Sequence, residues 1–385
     1  MSGAAPVPAP ATAVPRPRDS RVFTILVCVL VALTALPMLA ILAFSGAPGT
    51  LLVATVLAAV PVVPLVLCYL WLDRYEPEPR RLLLMGLLWG AFVATFSAVV
   101  VQGIGGVFAG VSEEASLAVV APVSEEATKG LFLLLLLWWR RAELDGILDG
   151  LVYAGMVGIG FAFTENILYL AAAYNGTDGT GPGGTTALTA TFVVRCLFSP
   201  FAHPLFTAFT GLGVGIAVMS SSRGKRLVAP LVGYLLAVMT HALWNGSTLF
   251  GLGSFAAVYA VLMLPALVGF FALGIWARNR ERTMLTAALG DAAARGLIPG
   301  TDIGWVVDLR ARRAARKHAR ATGGAAAEQA MRDYQQAAIE LGFLHHRYLR
   351  GTPPADFAAR GQSYVARIGA VRPSIAFPGQ VVPTR

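Results

Sequence analysis

Charge is what this sequence has least of. Only 13% of its 385 residues are Asp, Glu, Lys or Arg, against 56% hydrophobic residues, and the mean hydropathy is +0.66. So few charges cannot cover a soluble globular surface, and the composition places the chain among polytopic membrane proteins. Lysine is nearly missing: of 30 basic residues only Lys129, Lys225 and Lys317 are lysine. The net charge of +9 is therefore an arginine charge, lying mostly in connections and the C-terminal region. It suits a membrane surface and gives no ground for a nucleic-acid partner. Cysteine is scarce too, with Cys28, Cys68 and Cys196 falling singly in apolar runs. The absence of CxxC or Cys/His clusters excludes a disulfide framework and a cysteine-rich zinc site. No HExxH occurs, and no internal repeat of the kind that builds many transporters is visible.

Long apolar runs are abundant. Stretches able to cross a bilayer lie at 22–44, 51–72, 82–101, 117–139, 147–174, 192–219, 228–249 and 252–276. Every second connection is basic: Arg16, Arg18 and Arg21 before the first run, then Arg74, Arg80 and Arg81, then Arg140 and Arg141, then SSSRGKR and ARNRER. The intervening connections carry no basic residue, so the positive-inside rule sets both termini in the cytoplasm of a multi-pass cell-membrane protein. The expected fold is all-α, a transmembrane helical bundle of about eight spans with a C-terminal cytoplasmic helical region. Residues 1–21, rich in Pro and Ala and lacking a clear cleavage site, read as a disordered cytoplasmic tail. Residues 22–276 form the eight-span domain, and 277–385, rich in Ala and Arg, form the cytoplasmic helical region.

Against this background the polar residues inside the runs stand out. Glu125 and Glu126 lie side by side in an otherwise apolar stretch, and a carboxylate at the bilayer centre costs about 2.5–3.5 kcal/mol even on insertion scales. At about 1.5 Å per residue from the outer ends, Glu125 lies roughly 12 Å in, Glu165 roughly 14 Å, His241 roughly 12 Å and His203 roughly 17 Å. Four ionisable residues from four runs thus share a layer, as convergence on one site requires. Lys129 stands at i+4 from Glu125 and i+3 from Glu126, in the favourable order. Phe161 shares a helix face with Glu165, His203 with Thr207, and His241 with Asn245. Gly155, Gly158 and Gly160 allow close helix approach. Bland readings exist for single residues. A lone intramembrane histidine also serves as an interhelical hydrogen-bond partner, and Glu125–Lys129 alone reads as a neutralised pair. Glu113 and Glu114 read as solvated loop charges, Asp145 and Asp149 as charges at a helix N-terminus, and Arg195 as snorkelling or paired with Asp178 or another carboxylate. The five-residue constellation fits none of these.

In order along the chain, DRYEPEP, APVSEEATKG, DGLVYAGMVGIGFAFTENILY, SPFAHPLFTAFTG and HALWN resemble the PrsW family of intramembrane proteases, within a wider group that includes the CAAX-prenyl endopeptidases. The resemblance covers roughly residues 70–250 and rests on EExxK, FxxxEN and two separated histidines together. It implies a polytopic α-helical enzyme that hydrolyses a peptide bond of a membrane-anchored protein, in some members an anti-sigma factor. Carried over by residue, it points to Glu125, Glu126, Glu165, His203 and His241 as catalytic, with Lys129, Asn166 and Asn245 in support. In one scheme a glutamate activates water, a second carboxyl or a histidine protonates the leaving amine, and Asn245 or His241 stabilises the oxyanion. In the other, Zn²⁺ held by Glu126, Glu165, His203 and His241 supplies the nucleophile. Adjacent carboxylates supply acid and base without a cation, so the scheme without a cofactor is the expectation. A proton- or cation-coupled transporter using the same carboxylates is the alternative, and a membrane scaffold leaves the shared depth unexplained.

Overall fold

The computed structural model describes residues 21–177, 182–351 and 353–379. The expected tail lies outside these residues apart from Arg21, and so does Asp178. All regular structure among the described residues is helical. Two compact units are formed, one by the described residues up to Asp73 with Pro77–Ala277, the other by Arg74–Glu76 with the residues from Arg278 on.

Among the described residues, seven helices are long and apolar enough to cross a membrane by length and composition: α1 (Arg21–Phe44), α2 (Pro48–Leu72), α3 (Arg80–Ala109), α5 (Ile147–Asn175), α6 (Thr185–Met219), α7 (Arg223–Leu249) and α8 (Gly251–Ala294). The remaining apolar helix, α4 (Ala121–Trp139), carries Glu125, Glu126 and Lys129 in 19 residues and falls outside that count. It corresponds to the expected span 117–139 and packs on α3, α5, α6 and α7. Helix α8 runs well past the expected end at 276, because good helix formers follow with no proline to stop them.

The bundle is built around α5, with 89% of its most apolar window buried, against 11% for α1 and for α8. Outer helices turn Leu33, Leu36, Leu67, Leu227 and Leu235 outward, as a lipid-facing surface requires. Small residues let α5 take the centre. A β-carbon on Gly160 would lie 1.9 Å from the Leu87 carbonyl oxygen, and one on Gly90 1.9 Å from that of Val157, so α3 and α5 cross backbone to backbone. On Gly158 it would meet the Pro204 backbone nitrogen at 2.6 Å, which is how the segment carrying His203 reaches α5. Among the described residues, four π-helical stretches interrupt the regular turns: Trp89–Ala94, Ser116–Val120, Val193–Phe198 and Tyr259–Met263. Each extra residue rotates the side chains that follow by about 100°.

In the second unit, α9 (Ile303–Val307), α10 (Leu309–Leu349) and α11 (Phe357–Val371) pack on a core including Leu285, Leu289, Met331, Tyr334 and Phe377. Asp308 caps α10 by accepting from the backbone N–H groups of Arg310 (2.9 Å) and Ala311 (2.8 Å). Gly324, at φ 71°, kinks α10 into two helical arms. Buried Asp302 accepts from the Tyr334 hydroxyl at 2.5 Å and pairs with Arg372. His345 Nε2 lies 2.6 Å from Asp291 Oδ2.

Candidate active site

Four helices carry the polar layer. Glu125, Glu126 and Lys129 lie within the first three turns of α4, and the Trp89 indole holds that helix to α3 by donating to the Thr128 carbonyl at 2.9 Å. Glu165 and Asn166 come from α5 and His241 from α7. Helix α6 supplies both Arg195, in its π-helical stretch, and His203. Ser199 and Pro200 break that helix, and a new one starts at Ala202. Pro204 fits in its first turn, where no intrahelical N–H bond is needed.

The five residues singled out from the sequence meet around Lys129, whose side chain is fully buried. Its Nζ lies 2.8 Å from Glu126 Oε1, 3.4 Å from Glu125 Oε2 and 3.0 Å from His203 Nδ1. It also sits 3.7 Å from the centroid of the Phe161 ring, a cation–π contact. His241 places Nδ1 3.1 Å from Glu126 Oε1 and Nε2 3.8 Å from Glu125 Oε2. The Thr207 hydroxyl donates to Glu126 Oε2 at 3.0 Å, and Gln102 Nε2 donates to Glu125 Oε1 at 3.3 Å. Glu165 Oε2 lies 2.6 Å from His203 Nε2 and pairs with the Arg195 guanidinium. Arg195 Nε donates to Asn166 Oδ1 at 2.9 Å, and its guanidinium lies 3.8 Å over the Tyr169 ring. Phe206 stacks on His241 at 4.5 Å and 14°.

Two features give this arrangement chemical content. Each imidazole has one nitrogen on a carboxylate, His203 Nε2 on Glu165 and His241 Nδ1 on Glu126, which fixes ring orientation and assigns the proton to that nitrogen. The second nitrogens, Nδ1 of His203 and Nε2 of His241, face Lys129 and Glu125. Glu126 is held by three groups at 3.1 Å or less, whereas every partner of Glu125 given above stands at 3.3 Å or more. Glu126 and Glu165 thus act as anchors, and Glu125 is the looser carboxylate. Ion pairing offsets the desolvation cost, which runs to several kcal/mol per buried ion.

Glu125, His203 and His241 offer ligand atoms within 4.8 Å of one another, and a carboxylate with two imidazoles is a known zinc ligand set. The converging metal-capable group therefore uses Glu125, while Glu126 and Glu165, expected as ligands, stand behind the two histidines. By donor type and by the carboxylate behind each histidine, these residues fit a divalent ion. Asn245 does not join the cluster, its amide donating to the Leu117 carbonyl at 3.1 Å in the turn before α4. Glu113 and Glu114 are exposed, and Asp149 accepts from the backbone N–H groups of Asp145 (2.7 Å) and Gly146 (2.8 Å) at the start of α5. Arg195, Thr207 and Gln102 complete the site without having been singled out for it. An arginine within an apolar run demands an anion, which is the signal for Arg195, while Gln102 gives none.

Comparison with known proteins agrees with this geometry. The family model described as PrsW family intramembrane metalloprotease matches residues 78–270, which includes every residue of the cluster. Over 183 residues the chain is 31% identical to the Protease PrsW of Geobacillus kaustophilus, covering 46% of this chain and 72% of that protein. It is 28% identical over 228 residues to the Protease PrsW of Bacillus subtilis, covering 57% of this chain and 91% of that protein. A third relative, the Protease PrsW of Clostridioides difficile, is 24% identical over 190 residues, or 48% of this chain and 75% of that protein. No solved structure matches the chain significantly. These matches do not favour the transporter alternative. A helical membrane bundle, charged groups gathered in its interior and a family match over half the chain make this protein a member of the PrsW family, an intramembrane peptide hydrolase.

Proposed function

We propose that Glu125, Glu126, Glu165, His203 and His241 hydrolyse a peptide bond of a membrane-anchored protein, with Lys129, Asn166 and Asn245 in supporting places. An anti-sigma factor is the kind of substrate that the family resemblance suggests. The reading rests on one observation above all: both buried histidines are oriented by a carboxylate, and His241 Nε2 faces Glu125 across 3.8 Å. Two acceptors so placed suit a shared water, which donates one proton to each. Glu125 takes a proton as the water oxygen bonds to the substrate carbonyl carbon, and passes it to the amine that leaves when the C–N bond breaks. The Lys129 ammonium offers positive charge to the oxyanion in a low-dielectric setting. Glu126 holds His241 and Lys129, Glu165 holds His203, and Asn166 holds the arginine that pairs with Glu165. Asn245 supports from a distance by tying α7 to the turn before α4. In the metal-loaded protein Glu125, His203 and His241 would hold the ion, and bound Zn²⁺ lowers the pKa of its water to about 7.

The seven membrane-length helices together with α4 make eight apolar helices among the described residues, and with the alternation of basic connections they support a cell-membrane location with both termini cytoplasmic. The test is cleavage of a membrane-tethered substrate by purified protein in detergent. Glu126→Ala and His241→Ala should each abolish it, and full activity in either folded variant rejects the assignment.

A further inference from the structure

Lys129, which offers its charge to the oxyanion in the acid–base scheme, has no place in the metal scheme. Its Nζ points at His203 Nδ1 from 3.0 Å and at Glu125 Oε2 from 3.4 Å, so it engages two of the three donors that would hold an ion. A neutral imidazole nitrogen has one lone pair. With Nε2 of His203 committed to Glu165 at 2.6 Å, Nδ1 serves either the ammonium or a metal, not both.

Charge counting points the same way. Setting aside the Glu165–Arg195 pair, Glu125, Glu126 and Lys129 carry one net negative charge. A divalent ion would turn this into one net positive charge in a water-poor interior. Without the ammonium the same ion would bring the cluster to neutrality. The aromatic face of Phe161, 3.7 Å from Nζ, gives the ammonium a further favourable contact where it stands.

We infer that Lys129 is a built-in cation that competes with a divalent metal ion for His203 and Glu125 and sets the metal affinity of the site. The inference rests on the site proposed above, but metal binding and peptide hydrolysis are measured separately, so either can fail while the other stands. The experiment is equilibrium binding of Zn²⁺ to full-length detergent-purified protein, with stoichiometry by elemental analysis and Co²⁺ absorption as a second readout. Lys129→Met should raise Zn²⁺ affinity at least about 100-fold over wild type, as expected when a fixed cation a few ångströms from a dication is removed. It should also produce a Co²⁺ spectrum that the added change His203→Gln removes. Lys129→Gln serves as the second variant where Lys129→Met does not fold. Equal affinity in wild type and a folded Lys129 variant overturns the inference. Where neither variant folds, tight one-equivalent Zn²⁺ binding by wild type, lost in His203→Gln, overturns it, and wild-type binding too weak to survive dialysis sustains it.

Discussion

Replacing Arg195 with methionine removes the guanidinium from Glu165 and Asn166 in one step. The Glu165 side chain is 14% exposed and that of Arg195 is 22% exposed, so the carboxylate left behind is largely desolvated. Breaking a buried ion pair by deleting one partner costs about 3–5 kcal/mol, and the partial exposure puts this pair near about 3 kcal/mol. Lost stacking on Tyr169, 3.8 Å away, adds about 0.5–1 kcal/mol. His203 would remain, but with an orienting carboxylate free to move, and loss of such an outer partner lowers activity by about 10–100-fold where it has been measured at metal-bound histidines. The assay is unfolding in mixed micelles for Arg195→Met, Glu165→Gln and the double variant, with cleavage rates measured alongside. The pairing predicts a coupling of about 2 kcal/mol or more, the double variant being more stable than the sum of the single changes implies. Additive losses, or a cost for Arg195→Met below about 1 kcal/mol with an unchanged cleavage rate, would refute the Arg195–Glu165–His203 relay.

Gly90→Ala should prevent folding or cost more than about 3 kcal/mol in micelle unfolding, because the new carbon would lie 1.9 Å from the Val157 carbonyl oxygen. Gly103→Ala, with nothing within 4 Å, should be neutral or stabilising by up to about 1 kcal/mol in the same assay. Asn245→Ala should cost about 1 kcal/mol through the unpaired Leu117 carbonyl and leave cleavage within about threefold of wild type. Burial, with the neighbouring Asp149 charge adding to it, raises the Asp73 carboxyl from 3.8 to about 8, so the folded protein binds a proton that the unfolded chain releases. Asp73 therefore contributes most stability below pH 4 and loses it as pH rises through 8, with a slope of up to about 1.4 kcal/mol per pH unit. Thermal midpoints against pH should fall less steeply across that window in Asp73→Asn than in wild type.

Much of the site was legible because intramembrane charge is expensive and therefore purposeful. Glu125, Glu126, Glu165, His203 and His241 could be placed in one layer by counting residues from the span ends, and the structure brings their helices together. The counting treated every span as a regular helix, and there it stopped. Arg195 lies inside the π-helical stretch Val193–Phe198, where the wider turn departs from regular α-helical spacing, so its meeting with Glu165 does not follow from that spacing. Asn245 shares a face with His241, yet one turn of displacement carries its amide to the Leu117 carbonyl. Which carboxylate anchors and which stays loose was likewise invisible, since Thr207 and Gln102 make the difference from other helices.

The central claim is that the Glu125–His241 pair activates water for peptide hydrolysis. The most direct measurement is the initial rate of cleavage of a membrane-tethered substrate in proteoliposomes, wild type against Glu125→Gln, both shown folded by their thermal transitions. Loss of the catalytic base predicts a fall of about 10²–10⁴-fold, with no change in substrate binding. A Glu125→Gln protein that cleaves at the wild-type rate would contradict it.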